Sequence, residues 1–269
     1  MPQKKGKRYR KGRKNKFYTS PGGKGREDTA NHATKQINKK VEEEETKMTQ
    51  PKQKWKKEFD SEVLCCVVGD VDGDGKNEII TGNKDGKLRV FSGEGELKLK
   101  KVFFDVVECC SVGDVDGDGK NEIIIGNRDQ TLRVFSREGE KKWKKEFGDV
   151  VLCCSVGDVD GDGKNEIIIG NGNQLMVLSG DGEQKWEEVF YNSVLCCFVD
   201  DVDGDGKNEV VAGSEDGTLI VFSGEGKLKW QKEFGGEVRC CFVGDADGDG
   251  KNEVVAGSSF GTLEVFVFP

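Results

Sequence analysis

Asp70-Val71-Asp72-Gly73-Asp74-Gly75-Lys76-Asn77-Glu78 returns almost unchanged four more times, beginning at Asp114, Asp158, Asp201 and Asp245. The intervals are 44, 44, 43 and 44 residues. A fixed period of this length marks a repeat architecture, in which each unit buries its apolar face against the next. The short interval belongs to the third repeat, where Gly170-Asn171-Gly172-Asn173-Gln174 stands in place of Gly126-Asn127-Arg128-Asp129-Gln130-Thr131. A one-residue deletion in a surface turn costs a fold little.

Between these loops lie short apolar runs bounded by Gly and Asp, exemplified by 131–136, 143–147, 150–156 and 166–170. Four such runs per period predict four short strands, the content of one blade of a β-propeller. The expected fold is all-β, a five-bladed β-propeller over residues 51–269, preceded by a basic, low-complexity tail and linker over residues 1–50. The last repeat stops after its third strand at Thr262–Phe268, while an orphan fourth strand, Trp55–Phe59, precedes the first repeat. That N-terminal strand is expected to complete the last blade and close the ring, leaving only short, protected edges. Trp55, Trp143, Trp186 and Trp230 share one repeat position with Leu99, and Phe59, Phe103, Phe147, Phe190 and Phe234 follow four residues later. These are expected to pack blade against blade.

In the repeated loop, alternate carboxylates converge on one point, the arrangement a hard cation such as Ca2+ requires, and Gly75 permits the sharp turn. The loop begins like an EF-hand, but its twelfth position is Thr81 and an apolar run follows Glu78, so that reading fails. The residues resemble the FG-GAP repeats of integrin α-subunit-type propellers over residues 55–268. That resemblance implies calcium between the first and second strands of each blade. It assigns as ligands Asp70, Asp72, Asp74, the Lys76 carbonyl and Glu78. The matching sets are Asp114, Asp116, Asp118, Lys120 and Glu122; Asp158, Asp160, Asp162, Lys164 and Glu166; Asp201, Asp203, Asp205, Lys207 and Glu209; and Asp245, Asp247, Asp249, Lys251 and Glu253. The chain departs from the family in carrying Glu at the last ligand position, where Asp is usual. About five Ca2+ sites are expected, with Mg2+ as the alternative occupant, and metal stabilises the fold by mass action. A brace for the loop turns is the expected role, ahead of calcium sensing.

The ten cysteines form five adjacent pairs, Cys65-Cys66, Cys109-Cys110, Cys153-Cys154, Cys196-Cys197 and Cys240-Cys241. They fall in the predicted innermost strand, where a small hydrophobe is needed. No secretory leader precedes them, so reduced thiols and a cytoplasmic location are expected. No apolar run approaches the ~20 residues that span a bilayer. The segment Phe222–Trp230 also resembles the docking segment of quinone-cofactor enzyme propellers. It recurs without singling out one blade, however, and the single histidine, His32, lies in the tail. No enzyme activity is expected.

The formal charge of −8 divides unequally, because residues 1–50 carry 15 basic and 6 acidic residues. The tail is therefore strongly positive and the repeats strongly negative. Lys4, Lys5, Lys7, Arg8, Arg10, Lys11, Arg13, Lys14 and Lys16 are interleaved with Tyr9, Phe17 and Tyr18. Bases with aromatics suit phosphate neutralisation and base stacking, and the segment resembles the extensions of ribosomal proteins. RNA, with the ribosome as its natural setting, is the expected tail partner, and a protein the expected partner of a propeller face. A monomeric propeller is expected. The alternative is a calcium-binding propeller adaptor or a lectin-like ligand-binding protein with an incidental tail.

Overall fold

A computed structural model describes residues 52–269. The tail bases Lys4 to Lys16 lie outside the described residues. Among the described residues, nineteen strands form five antiparallel sheets in chain order. The first holds β1 (Val63–Gly69), β2 (Glu78–Asn83), β3 (Lys87–Phe91) and β4 (Leu97–Val102), and the second β5 (Val107–Gly113), β6 (Glu122–Asn127), β7 (Thr131–Phe135) and β8 (Lys141–Glu146). The third holds β9 (Val151–Gly157), β10 (Glu166–Asn171), β11 (Gln174–Leu178) and β12 (Gln184–Val189). The fourth holds β13 (Val194–Asp200), β14 (Glu209–Ser214), β15 (Thr218–Phe222) and β16 (Leu228–Glu233). The fifth has three strands, β17 (Val238–Gly244), β18 (Glu253–Ser258) and β19 (Leu263–Val267).

Each strand type follows from its residues. The second strands read Glu-Ile-Ile-Ile-Gly-Asn or close to it, and a continuous apolar run without alternation is buried on both faces; β6, β10 and β14 are buried along their whole length. The fourth strands alternate, as in Lys141-Lys142-Trp143-Lys144-Lys145-Glu146, which suits an outer edge with one wet side. Turns between second and third strands use a left-handed residue: Gly86, Gly217 and Gly261, with Gln130 at φ 64° in the second sheet and Gly172 in the shortened third.

Four apolar clusters each straddle two consecutive sheets. Ile80, Leu88 and Val90 of the first sheet, for example, meet Val107, Ile123 and Ile125 of the second. The second strand carries the glycine that allows this approach. A Cβ on Gly126 would lie 2.5 Å from Cys109 Sγ and 2.6 Å from Val151 Cγ1 of the next sheet.

The two ends of the series differ from its middle. Val68 on β1 is 61% exposed, and Leu263 and Val267 on β19 are 70% and 64% exposed. Residues 54–59 form no strand. Trp55 nevertheless packs on the first sheet, its ring 6.2 Å from Phe91 and its Nε1 donating to Gly93 O at 3.0 Å. The expected pairing of Trp55–Phe59 with β19 is not formed, and the last sheet ends in an unpaired edge. No helix among the described residues is long and apolar enough to cross a membrane.

Candidate functional site

The acidic loops join first and second strands, as in β1–β2, and all five are built alike. The first Asp braces the turn: Asp158 Oδ1 accepts from Gly161 N at 2.8 Å and Oδ2 from Gly163 N at 2.9 Å. The fifth-position Asp caps the loop, with Asp162 Oδ1 accepting from Lys164 N at 2.8 Å. The buried Glu166 closes it by accepting from Val159 N at 3.0 Å. Asp70, Asp114, Asp201 and Asp245 brace their turns in the same way. The position-seven lysines Lys76, Lys120, Lys207 and Lys251 likewise donate their backbone amides to Asp74, Asp118, Asp205 and Asp249.

Carboxylate oxygens gather within 4.8 Å of one another in each loop. The groups are Asp70, Asp72 and Glu78; Asp158, Asp160 and Glu166; Asp201, Asp203 and Glu209; Asp245, Asp247 and Glu253; and, in the second sheet, Asp114, Asp116 and Asp118. Such all-oxygen donor sets suit a hard divalent cation. In four sheets the fifth-position Asp, namely Asp74, Asp162, Asp205 or Asp249, stands outside the group, and in the second it is Glu122 that does.

A cation of the chain's own already reaches four of these clusters. Lys185, on the fourth strand of the same sheet, places Nζ 2.5 Å from Asp160 Oδ2 and 2.6 Å from Glu166 Oε1. Lys98 bridges Asp72 and Glu78 at 2.5 and 2.7 Å, and Lys229 bridges Asp203 and Glu209 at 2.5 and 2.8 Å. Lys142 bridges Asp116 and Glu122, the latter at 2.5 Å. The lysine hydrogen bond is the main cause holding Asp72 and Asp160 below the usual carboxylate range. Burial pushes Glu122, Glu166 and Glu209 up in spite of it. Hydrogen bonds to Asp72 and Glu78 raise Lys98, and the same pattern outweighs partial burial at Lys142, Lys185 and Lys229. A tethered ammonium and a divalent ion therefore compete for the same oxygens. A cleft of about 400 Å³ between the loops of the second and third sheets brings Asp116, Asp162, Glu166 and Lys185 together.

Sequence reasoning missed these lysines, although each stands directly before the Trp/Leu position of the repeat. It also missed the motif's Asn. Asn165 Nδ2 donates to Asp114 O of the preceding loop at 2.8 Å, and Asn121, Asn208 and Asn252 do the same to Asp70, Asp158 and Asp201 at 2.7, 2.8 and 2.8 Å. Each loop after the first is thereby latched to its predecessor. We predict that Asn165→Ala costs about 1–2 kcal/mol, since it strands a half-buried carbonyl. Urea unfolding at constant m-value checks this.

The indole contacts follow the same order. Trp143 Nε1 donates to Gly180 O and Trp186 Nε1 to Gly224 O, each in the next sheet. At the first strands, the thiol of one sheet meets the thiol of the next, pairing Cys65 with Cys110, Cys109 with Cys154, Cys153 with Cys197 and Cys196 with Cys241. That hydrogen bond and then burial push Cys110, Cys154, Cys197 and Cys241 well above the ordinary thiol range. All ten cysteines are free.

The FG-GAP-like repeat family matches residues 201–256. No curated protein matches the chain in sequence. Among solved structures, the chain is similar to BBS1N, crystallised in complex with ARL6DN, at a TM-score of 0.63 and 14% identity over 81% of this chain and 67% of that one. It is similar to Saccharomyces cerevisiae Sqt1 at 0.64 and 13%, over 79% and 61%. A third likeness, to the V. cholerae biofilm matrix protein Bap1, has a TM-score of 0.53 and 21% identity, over 66% of this chain and 30% of that one. At these identities the likeness is one of fold, that of propeller-like repeated sheets.

Proposed function

We propose that the chain is a non-enzymatic interaction platform in the cytoplasm. In this reading the five sheets are the blades of a ring closed by Trp55–Phe59, one face of which docks a protein, and the basic tail anchors the assembly to RNA, the ribosome being the first target. The observation that carries the platform reading is the sameness of the sheets. The same loop recurs in all five sheets and the same lysine bridge and Asn latch in four, so no blade among the described residues holds a distinct set of reactive groups that would mark an active centre. Repetition of one surface around a ring suits docking rather than turnover. BBS1N, propeller-like and crystallised with a protein partner, supports the choice of partner class. The RNA anchor rests on the tail's composition, in which nine bases from Lys4 to Lys16 are interleaved with Tyr9. The acidic loops act as braces, with calcium or the lysines as counter-charge.

Co-sedimentation of the full chain with ribosomes and with free RNA across a salt series tests this reading. Binding that weakens steeply with salt, and that is lost when the nine bases are replaced by Gln, is expected. Each phosphate contact contributes roughly 0.7–0.9 to the log–log salt slope. Equal pelleting by the Gln variant would leave the calcium-type adaptor with an incidental tail as the better account.

A further inference from the structure

Four acidic loops receive a lysine from the fourth strand of their own sheet; the fifth sheet has no fourth strand. Its Glu253 is 3% exposed and, among the described residues, is engaged only through Oε2, by Ala246 N. Among the described residues no lysine reaches Asp247 or Glu253. In the repeat, the bridging lysine directly precedes the Trp/Leu position: Lys98-Leu99, Lys142-Trp143, Lys185-Trp186, Lys229-Trp230. The fifth member of that series is Lys54-Trp55. Among the described residues, Lys54 now meets only the exposed Glu94.

Trp55 already stands where a preceding sheet's outer strand would put it. It donates to Gly93 O of the first sheet as Trp143 and Trp186 donate to the sheets that follow theirs. What is lacking is the partner on its other side. The register shared by the other sheets, Val134 opposite Trp143 and Val221 opposite Trp230, sets Trp55 opposite Val265 and Lys56 opposite Glu264, an attractive cross-strand pair.

The inner rim carries the same complement. Every loop Asn but Asn77 reaches the preceding loop, and Asn77 is exposed. Of the thiols, the four sheet-to-sheet pairs leave over Cys66 and Cys240, both exposed.

We propose that Lys54–Phe59 is the fourth strand of the last sheet, with Lys54 Nζ held between Asp247 and Glu253. The occupant of the β19 edge is this chain's own segment, and the same movement sets Asn77 against Asp245 O and Cys66 against Cys240. This rests on the ring reading above and adds the residue that locks it. Lys54 is a fixed counter-charge here, as Lys98 is in the first sheet.

Dibromobimane bridges two neighbouring thiols, and tryptic mapping of the treated full chain reads the result. Wild type is expected to yield a Cys66–Cys240 bridge in the monomer fraction. Lys54→Gln should lose that bridge and lower the melting temperature, whereas Lys56→Gln should do neither. Glu253→Gln introduced beside Lys54→Gln should add no further loss, because the two act as one pair. No Cys66–Cys240 bridge in wild type would overturn both the ring reading and the lysine assignment. A bridge confined to covalent dimers would give the edge to a second copy and overturn closure within one chain. A monomeric bridge that survives Lys54→Gln, with additive Lys54 and Glu253 effects, would leave the ring and remove Lys54 from it.

Discussion

Lys185→Met is expected to destabilise the chain by about 2–3 kcal/mol in metal-free buffer and to make its stability depend on calcium. Glu166 is 2% exposed at its side chain and Lys185 28%. Breaking a buried ion pair by removing one partner costs ~3–5 kcal/mol, and the partial exposure of Lys185 places this case below that range. The methionine keeps the apolar stem but removes the ammonium that bridges Asp160 Oδ2 and Glu166 Oε1. Three carboxylates are then left converging without a counter-charge, and a hard cation is the natural replacement. Melting curves in chelator and in millimolar calcium check this. A drop of about 5–10 °C in chelator, recovered by calcium to a larger extent in the variant than in wild type, is the expected result. Lys144→Met is the control, because among the described residues Lys144 pairs only with the exposed Glu146 and such pairs contribute ~1 kcal/mol or less. An unchanged calcium response in Lys185→Met would show that the lysine and the ion do not share those oxygens.

Gly126→Val is expected to cost about 3 kcal/mol or more, the upper end of overpacking effects. The new Cβ falls 2.5 Å from Cys109 Sγ and 2.9 Å from Val151 Cβ, and neither neighbour is the free end of a flexible chain. Relief requires the second and third sheets to separate. That separation weakens the adjoining cluster of Cys109, Val151, Ile167 and Ile169. Val151→Ala in the same chain keeps that Cβ but removes Cγ1, which lies 2.6 Å from the new Cβ, and should recover part of the loss. Guanidinium unfolding of the single and double variants decides the matter, and a Gly126→Val midpoint equal to wild type would refute the close-approach account of this glycine.

The fold was legible where one residue's surroundings repeat in the sequence itself. The 44-residue spacing of Asp70, Asp114 and Asp158 gave the unit, and the runs at 131–136 and 166–170 became β7 and β10. The acidic loops were legible because their ligating types lie within nine residues. The lysine bridges were not, because Lys98 and Asp72 are 26 residues apart and a lysine on an alternating outer strand reads as a solvated face. Their signal was periodic and present, in the lysine directly before each Trp or Leu. The Asn latch was hidden for a related reason: Asn165 and Asp114 belong to different repeats, and nothing local distinguishes a side chain that reaches across a junction from one that fills a turn.

Every junction in the series is made from the same few parts, a glycine without a Cβ, an Asn on a neighbouring carbonyl and two facing thiols, and two of them add an indole on a glycine turn. Both halves of each joint are therefore written in a single 44-residue unit, which acts as plug to one neighbour and socket to the other. Such a unit is interchangeable. Copying or deleting one whole repeat alters the count of sheets while creating no joint that the chain does not already contain. A sheet added in this way would meet its neighbours through contacts the chain already makes.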